Sequence, residues 1–298
     1  MRVRETGSPE VLRLEEVERP EPAEGEVLIC VRAASVNPAD WKFRRGFIPK
    51  PLPAVLGADV SGTVEVSRAE GFSEGDEVFG MAASGGYAEF TTASGTTIAK
   101  KPAGVSHEQA AAIPVAGLTA WQALFDRGGL ERGQTALIAG AAGGVGHFAV
   151  QFANHEGARA IGTGSSRNRD FVLGLGAVQY VDYTQQEVAE VVSGVDVAFD
   201  TVGGETTLSL LVAVREGGIL VTIAGPPPEA AARERGVRAE LLVMTPNSEQ
   251  LGRIAELVAA GDVRVEIAEM LPLTEVQRAH ELSESGHTRG KIILTVGR

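Results

Sequence analysis

The alternation of apolar and polar residues changes its period near Ser106 and divides the chain into two differently patterned parts. Before that point, short runs rich in valine and leucine are separated by turns that contain proline and glycine, which is typical of strands. The pattern predicts strands over Leu12–Glu18, Glu26–Ala33, Gly62–Val66 and Glu77–Met81. The first third of the chain is therefore expected to form a small, irregular β domain.

After Ser106, whose side chain suits a helix N-cap, segments typical of strands alternate with segments typical of helices. The predicted strands are Thr135–Ala139, Arg159–Gly162, Gln179–Val181, Val195–Phe199, Gly218–Ile223 and Glu240–Val243. The predicted helices are Leu118–Phe125, Val145–Asn154, Asn168–Leu175 and Gln185–Val192. Such alternation predicts the α/β class, with a parallel sheet that is covered by helices on both faces.

The C-terminal part has a mixed pattern. An amphipathic helix is predicted over Ser248–Ala260, with Gly261 as its end signal. Residues Val263–Met270 are predicted to be extended, Thr274–Ser285 to be helical, and Ile292–Val296 to form a final strand. No internal repeat interrupts this organisation.

Composition narrows the classes of function. A chain of 298 residues with 44% hydrophobic residues is long enough for two domains. A net charge of −12 opposes binding to nucleic acid or to an anionic membrane surface, since phosphate groups would be repelled. The single cysteine, Cys30, excludes an intrachain disulfide and every multi-cysteine zinc site. With charged residues at its N-terminus, the protein is expected to be soluble and cytoplasmic.

A glycine-rich turn joins the first strand of the second part to an apolar-faced helix, within Thr135–Ala153. Gly143 and Gly146 keep the spacing of the second and third glycines in the dinucleotide-binding fingerprint, and Ala141 stands in the first position. The turn predicts a site for a pyrophosphate, because Gly143 lets the backbone approach and the helix N-terminus attracts anions.

The following strand ends without the acidic residue that binds the ribose hydroxyls in NAD sites. Ser165, Ser166, Arg167 and Arg169 stand there instead, and these side chains suit a 2′-phosphate. We therefore expect NADPH rather than NADH. A solvated helix start with incidental arginines is the alternative interpretation.

Several motifs occur in the order found in one enzyme family. They are Ala33–Lys42 with its Val-Asn-Pro-Ala-Asp segment, Leu56–Gly62, Gly75–Gly80, Gly85–Phe90, Gly117–Ala120, Ala141–Gly146, Asp200–Gly203 and Arg289–Ile292. Together they resemble the zinc-independent quinone oxidoreductases and zeta-crystallin of the medium-chain dehydrogenase/reductase superfamily. The resemblance implies a GroES-like substrate domain over residues 1–113 and 264–298, and a doubly wound Rossmann domain over residues 114–263.

The resemblance also bears on metal chemistry. Zinc alcohol dehydrogenases of the same superfamily carry a cysteine where Asn37 stands, and a Gly-His-Glu motif where Gly57-Ala58-Asp59 stands. Both metal-binding side chains are missing here, as is the cysteine-rich structural zinc lobe. The resemblance therefore implies catalysis without a Lewis-acid metal.

The resemblance implies several cofactor contacts. Those expected at the pyrophosphate are Ala142, Gly143, Gly144 and Val145. Those expected around the 2′-phosphate are Ser165, Ser166, Arg167 and Tyr183. Those expected near the nicotinamide are Asn37, Thr119, Ile223, Ala224 and Gly225. Simpler roles stay open for three of them: Asn37 as a turn residue before Pro38, Thr119 as an ordinary helix residue, and Tyr183 as a surface residue.

The activity implied by the resemblance is hydride transfer from NADPH to a quinone or an α,β-unsaturated carbonyl compound. The small-molecule substrate is expected in a cleft between the domains, near Asn37, Trp41 and residues 82–87. No catalytic acid is identified, because Arg44-Arg45-Gly46-Phe47 lacks the tyrosine that relatives carry nearby. A homodimer paired through Glu240–Val243 is also implied. The alternative function is a non-catalytic NADPH-binding protein with a structural or regulatory role.

Overall fold

The computed structural model describes residues 1–297, which form two compact units. The first unit contains Met1–Leu118, Pro246–Gly261 and the chain from Val265 onward, and the second contains Thr119–Thr245 and Asp262–Arg264. This division differs from the predicted domain boundaries at the helix Ser248–Ala260, whose Ile254 packs against Gly117 of the first unit. The domain assignment stays a prediction, and Arg298 lies outside the described residues.

The N-terminal region is built mainly from strands. Its strands are β1 (Arg2–Val3), β2 (Glu26–Val36), β3 (Ala54–Val55), β4 (Asp59–Ser67), β5 (Glu77–Met81), β6 (Phe90–Ser94) and β7 (Ile98–Lys100). Its helices are α1 (Pro38–Arg44), α2 (His107–Ala112) and α3 (Pro114–Trp121), with a short 3-10 turn at Pro9–Val11. Ser106 caps α2 as predicted, because its side chain accepts the N–H of Gln109 and the Gln109 side chain accepts the N–H of Ser106.

The central region alternates strands and helices. Its strands are β8 (Thr135–Ile138), β9 (Arg159–Gly164), β10 (Gln179–Asp182), β11 (Val195–Asp200), β12 (Val214–Thr222) and β13 (Arg238–Leu241). Its helices are α4 (Gly146–His155), α5 (Arg169–Gly174), α6 (Val188–Val191), α7 (Glu205–Ala213) and α8 (Glu229–Glu234). A π-helical stretch at Gln122–Arg127 continues α3, where an ordinary helix to Phe125 was predicted.

The C-terminal region adds α9 (Ser248–Ala260), β14 (Ile267–Pro272), α10 (Val276–Glu284) and β15 (Lys291–Thr295). Gly261 ends α9 in the left-handed conformation, at a φ of +81°, as a C-terminal glycine is expected to do. Among residues 1–297, no helix has both the length and the apolar character that a membrane span requires.

The first unit contains a seven-stranded sheet in the order β14-β15-β2-β4-β5-β7, with β6 paired to β2. All pairs are antiparallel except β14 with β15. The core beneath it includes Val27, Ile29, Val60, Tyr87 and Leu294. The predicted strand over Leu12–Glu18 is wrong: Leu12 is buried, but only Arg13 pairs, in a single bridge to Arg2. A buried leucine in an irregular segment gives the same local pattern as a strand.

The second unit contains a six-stranded parallel sheet in the order β10-β9-β8-β11-β12-β13. The chain runs outward from β8 to β10, then returns beside β8 with β11 and continues to β13. The reversal therefore lies between β8 and β11, and a doubly wound sheet binds its ligand outside the carboxyl ends of the strands at such a point. The predicted edge strand is present as β13, displaced by two residues toward the N-terminus.

Candidate functional site

The glycine-rich turn between β8 and α4 has the close packing that its sequence predicts. A Cβ atom on Gly146 would lie 2.2 Å from the carbonyl oxygen of Gly140 and 2.7 Å from Cα of Ala141. A Cβ atom on Gly143 would meet only the Gly140 oxygen, at 3.2 Å. Gly146 is thus required for packing inside the protein, whereas Gly143 leaves one side of the turn open. The N-terminus of α4 follows directly, and the partial positive charge of a helix N-terminus favours an anion there.

The second predicted group lies at the carboxyl end of β9. Ser165, Ser166 and Arg167 follow the last residue of that strand, and Ser166 and Arg167 are exposed. The hydroxyl of Tyr180 donates to the Ser165 carbonyl over 2.7 Å, and the N–H of Tyr183 donates to the Gly164 carbonyl over 3.3 Å. These bonds bring the exposed Tyr183 beside the serines. All four residues expected around a 2′-phosphate therefore lie together.

A third group lies at the carboxyl ends of β11 and β12, where Ile223, Ala224 and Gly225 follow β12 and are partly exposed. Beside them, the fully buried carboxylate of Asp200 accepts hydrogen bonds from the neighbouring turn and from two threonines. In the sequence, Asp200 is recognisable only as part of the Asp200–Gly203 motif. Its role was not predicted, because it depends on the register that pairs Asp200 with Thr222.

The first unit contains a buried polar cluster around Asn37. The amide of Asn37 donates from Nδ2 to Oδ2 of Asp59 over 2.7 Å, and its Oδ1 accepts from Nζ of Lys291 over 2.5 Å. Asp59 also accepts from the hydroxyl of Ser35 at 2.8 Å and the N–H of Val115 at 3.0 Å. Asn37 is only 3% exposed, so its side chain is held firmly rather than left to solvent.

Asp40 extends this cluster on the other side. It accepts the N–H of Asn37 at 2.8 Å, which closes a capping box at the start of α1, and the hydroxyl of Tyr87 at 3.0 Å. The N–H of Gly57 approaches its second oxygen at 3.3 Å. Asp40 and Tyr87 thus tie the start of α1 to the segment around residue 57 and to the loop after β5.

Burial dominates the protonation of these groups. It raises the pKa of Asp40 to about 6, with the nearby charge of Asp59 adding to the rise and the N–H of Asn37 opposing it. Burial also raises the pKa of Asp59, and the ammonium group of Lys291 opposes that rise. In turn, burial lowers the pKa of Lys291, and the two carboxylates oppose that change. Each charge is therefore kept in the interior by its partner.

The other predicted contacts have distinct environments. Trp41 packs edge-on against the exposed ring of Phe47, with ring centroids 6.4 Å apart. Its indole Nε1 is buried and has no hydrogen-bond partner among residues 1–297. Thr119 is buried on α3.

A second hydrogen-bonded chain in the first unit links a serine, a histidine and a carboxylate. Nδ1 of His107 lies 2.8 Å from Oγ of Ser61, and its Nε2 lies 3.1 Å from Oε1 of Glu77. The order of side chains resembles a hydrolase triad, but the two ring nitrogens exchange partners, since Nε2 faces the serine in a triad. The exposure is also reversed: Ser61 is fully buried, whereas Glu77 is exposed. No substrate can reach that hydroxyl, so we infer that these three hydrogen-bonded side chains have a structural role.

Comparison with known proteins identifies the family. Residues 23–103 match an alcohol dehydrogenase GroES-like domain, and residues 175–294 match a domain described as zinc-binding dehydrogenase. A 2-methylene-furan-3-one reductase from Solanum lycopersicum is 34% identical over 308 residues, covering 97% of this chain and 76% of that protein. The structure of the quinone oxidoreductase from Coxiella burnetii is 36% identical, with a TM-score of 0.94 over 99% of this chain and 98% of that one.

A quinone oxidoreductase from Escherichia coli, solved in complex with NADPH, is 29% identical, with a TM-score of 0.92 over 99% of both chains. The chain belongs to the quinone oxidoreductase family of the medium-chain dehydrogenase/reductase superfamily. The predicted fold, a GroES-like β domain with a Rossmann domain, is thereby confirmed.

The zinc in the description of one matching domain does not fit the residues of this member of the family. By the resemblance, Asn37 and Ala58 take the ligand positions of zinc alcohol dehydrogenases, and neither offers a thiolate or an imidazole. Within residues 1–297, no three or more His, Cys, Asp or Glu side chains are grouped to hold a metal ion. The buried ammonium group of Lys291 already lies against Asn37 and Asp59, where it would repel a second cation.

Proposed function

We propose that this chain is a zinc-independent, NADPH-dependent oxidoreductase that transfers hydride to a quinone or an α,β-unsaturated carbonyl compound. The observation that carries the proposal is the placement of the two predicted phosphate-contact sets, together with residues 223–225 of the nicotinamide set, at the carboxyl ends of β9, β8 and β12 in one parallel sheet. The family supports it: the tomato relative is named for reduction of an enone, and two related structures are quinone oxidoreductases.

The pyrophosphate is assigned to the turn between β8 and α4. Ala142, Gly143, Gly144 and Val145 present backbone there, and the open side of Gly143 leaves room for a ligand to approach. The helix N-terminus supplies partial positive charge without a side chain. A net charge of −12 makes such a local site necessary, since the protein as a whole repels anions.

The 2′-phosphate is assigned to Ser165, Ser166, Arg167 and Tyr183. An arginine fork with nearby hydroxyl groups matches the oxygens of a phosphate, whereas two free ribose hydroxyls are better bound by a carboxylate. No acidic residue stands at residues 165–169. These features favour NADPH over NADH.

The bound cofactor would supply the hydride, and the protein would supply orientation and a dry, polar environment. Ile223, Ala224, Gly225 and Thr119 are assigned to the nicotinamide. Asn37 and Trp41 are assigned to the reacting end, where their N–H groups would face an oxygen that becomes more negative as hydride is added. The proton that completes the reduction is assigned to solvent or a bound hydroxyl group.

The test is NADPH oxidation, followed at the nicotinamide absorbance, with a panel of quinones and enones under matched conditions. Turnover with at least one compound class, and a much slower rate with NADH, are expected. Saturable NADPH binding without turnover across the panel would instead support a non-catalytic cofactor-binding protein. Absence of binding to either nucleotide would contradict both functions.

We also propose a cytoplasmic homodimer that pairs through the edge strand β13. Leu241 and Val243 are 47% and 74% exposed at this edge, which is more apolar surface than an unprotected strand usually presents. Sedimentation should give twice the monomer mass of 31.1 kDa, and lysines at both positions should shift the protein to monomer. A wild-type protein that sediments only as monomer would contradict the pairing.

A further inference from the structure

The carboxylate of Asp200 is completely buried at the end of β11 and is fully occupied by hydrogen bonds. Its Oδ1 accepts the N–H groups of Val202 and Gly203, each over 2.9 Å. Its Oδ2 accepts the hydroxyls of Thr207 at 2.6 Å and Thr222 at 3.3 Å. Because both oxygens of this buried carboxylate accept hydrogen bonds, the group is held rigidly in place.

Thr222 links Asp200 to the segment that follows β12. Oγ1 of Thr222 donates to Asp200 and also accepts the N–H of Ala224 over 3.1 Å. The N–H of Ile223 donates to the carbonyl oxygen of Asp200 over 3.0 Å. The segment assigned to the nicotinamide is therefore tied to Asp200 through both its backbone and its side chain.

The turn after Asp200 packs directly on the same segment. Gly203 has a φ of +87°, and a Cβ atom on it would lie 3.0 Å from both Cβ and the carbonyl oxygen of Ala224. Only glycine allows the turn and the segment to approach so closely. Because Asp200 accepts the N–H of Gly203, it sets the position of this contact as well.

The same turn also reaches the glycine-rich loop. Oγ1 of Thr201 donates to the carbonyl oxygen of Ala139 over 2.8 Å, and a Cβ atom on Gly140 would lie 2.5 Å from that hydroxyl oxygen. The turn after β11 thus lies against both the start of the pyrophosphate loop and the segment after β12. Asp200 is the group that both arrangements share.

We propose that Asp200 and Thr222 are positioning residues that hold residues 223–225 in the place where they orient the nicotinamide. The inference rests on the proposed NADPH site and names two residues that act on it without touching the ligand. Thr207 donates to the same oxygen of Asp200 but belongs to α7, and it makes no bond to Ala224. It is therefore a matched control for Thr222.

The experiment compares Thr222→Val with Thr207→Val, each paired with its serine variant. Both valines keep the shape of threonine and remove one hydroxyl from the same carboxylate oxygen, so both should lower the melting temperature. Only Thr222→Val also removes the acceptor of the Ala224 N–H. We expect it to reduce kcat about tenfold with little change in the acceptor KM, because a small displacement of the reacting carbon is costly. Thr222→Ser should restore turnover.

Two binding measurements separate this inference from the proposed function. Binding of 2′,5′-ADP, which lacks the nicotinamide, should be unchanged in both valine variants. The fluorescence of bound NADPH, which reports the nicotinamide environment without any acceptor, should change in Thr222→Val and not in Thr207→Val. Equal effects of the two valines on turnover and fluorescence, or no effect of either, would overturn the positioning role. A wild type that binds NADPH but reduces no acceptor would overturn the proposed reaction alone, and fluorescence would then decide the inference.

Discussion

The ammonium group of Lys291 lies 2.5 Å from Oδ1 of Asn37, and this contact fixes the orientation of the amide. An ammonium group only donates hydrogen bonds, so the amide oxygen must face it. Nδ2 then faces Asp59, to which it donates over 2.7 Å. Since Nδ2 carries a second hydrogen, a hydride acceptor at the proposed site would meet Asn37 as a hydrogen-bond donor. That polarity suits a carbonyl oxygen that gains negative charge during hydride transfer.

Removal of Lys291 should therefore affect both stability and turnover. Lys291→Met leaves the buried carboxylate of Asp59 without its cation, which is expected to cost about 3–5 kcal/mol of the free energy of unfolding. The double variant Asp59→Asn with Lys291→Met removes both charges and should recover much of that loss. Turnover should stay about tenfold low in the double variant, because the ammonium group that holds Oδ1 of Asn37 is then missing.

The control for this prediction is Lys101→Met. Lys101 is also largely buried in the first unit and pairs with Glu77, but it contacts none of the proposed site residues. Its variant should keep wild-type kcat in the NADPH oxidation assay. Recovery of full turnover together with stability in the double variant would show that Lys291 has only a structural role.

This cluster illustrates what the sequence could not predict. In the sequence, Lys291 is recognisable only within the Arg289–Ile292 motif, and in the fold it meets Asn37 across 254 residues of chain. Whether two charges share one buried site depends on the pairing of β15 with β2 and of β2 with β4, which local patterns do not encode. The same holds for Asp200 and Thr222, which only the register of β11 with β12 brings together.

The glycine-rich loop, in contrast, could be predicted because its chemistry is local. Strand, turn and helix follow one another within Thr135–Ala153, so spacing alone predicted the turn to which we assign the pyrophosphate. The end of β9 was equally accessible to sequence reasoning. The missing acidic residue and the added serines are local features that need no knowledge of the fold.

Two alanine substitutions in the loop should have opposite consequences. Gly146→Ala would place a methyl group 2.2 Å from the Gly140 oxygen, and we expect it to cost about 1–3 kcal/mol or more of stability. Gly143→Ala has only one contact, at 3.2 Å, and should fold nearly normally. It should nevertheless weaken NADPH binding at least about tenfold, because the methyl group would occupy the open side of the turn.

Chemical unfolding and fluorescence titration separate these two effects. A Gly143→Ala protein that binds NADPH like the wild type would show that the pyrophosphate does not approach this turn. Gly252→Ala on α9 is the comparison, since a Cβ atom there meets nothing within 4 Å and the residue lies outside the proposed cofactor contacts.

Arg167 should determine the preference for the 2′-phosphate. It is exposed at the end of β9, beside Ser166. Loss of a charge-assisted hydrogen bond to phosphate, worth about 1.5–3 kcal/mol, should weaken NADPH binding about tenfold to a hundredfold in Arg167→Ala. Binding of NADH should be unchanged. Arg159→Ala, at the opposite end of the same strand, is the matched control. Equal NADPH and NADH affinities in the wild type would contradict the phosphate site.

His280 predicts how stability depends on pH. It is completely buried on α10, and its Nδ1 accepts a hydrogen bond from Nε of Arg44 over 3.2 Å. Burial, together with the smaller effect of the positive charge of Arg44, lowers the pKa of His280 to about 3. In the unfolded chain the imidazole pKa returns to about 6.5. At a pH between those two values, His280 is protonated in the unfolded state and neutral in the native state.

The native state should consequently lose stability as the pH falls from about 6.5 toward 3, by up to about 1.4 kcal/mol per pH unit from this residue. Asp40, whose pKa is raised to about 6, acts in the opposite direction over part of the range, so the wild type alone does not isolate the effect. The difference in the free energy of unfolding between wild type and His280→Asn isolates the effect of His280, because Asp40 contributes to both proteins. Urea unfolding between pH 5 and 7.5 measures the free energy of unfolding at each pH. As the pH falls, it should decrease less steeply in His280→Asn than in the wild type. The control His155→Asn, at an exposed histidine, should follow the wild type. Parallel pH profiles for wild type and His280→Asn would mean that His280 takes up a proton in the folded protein after all.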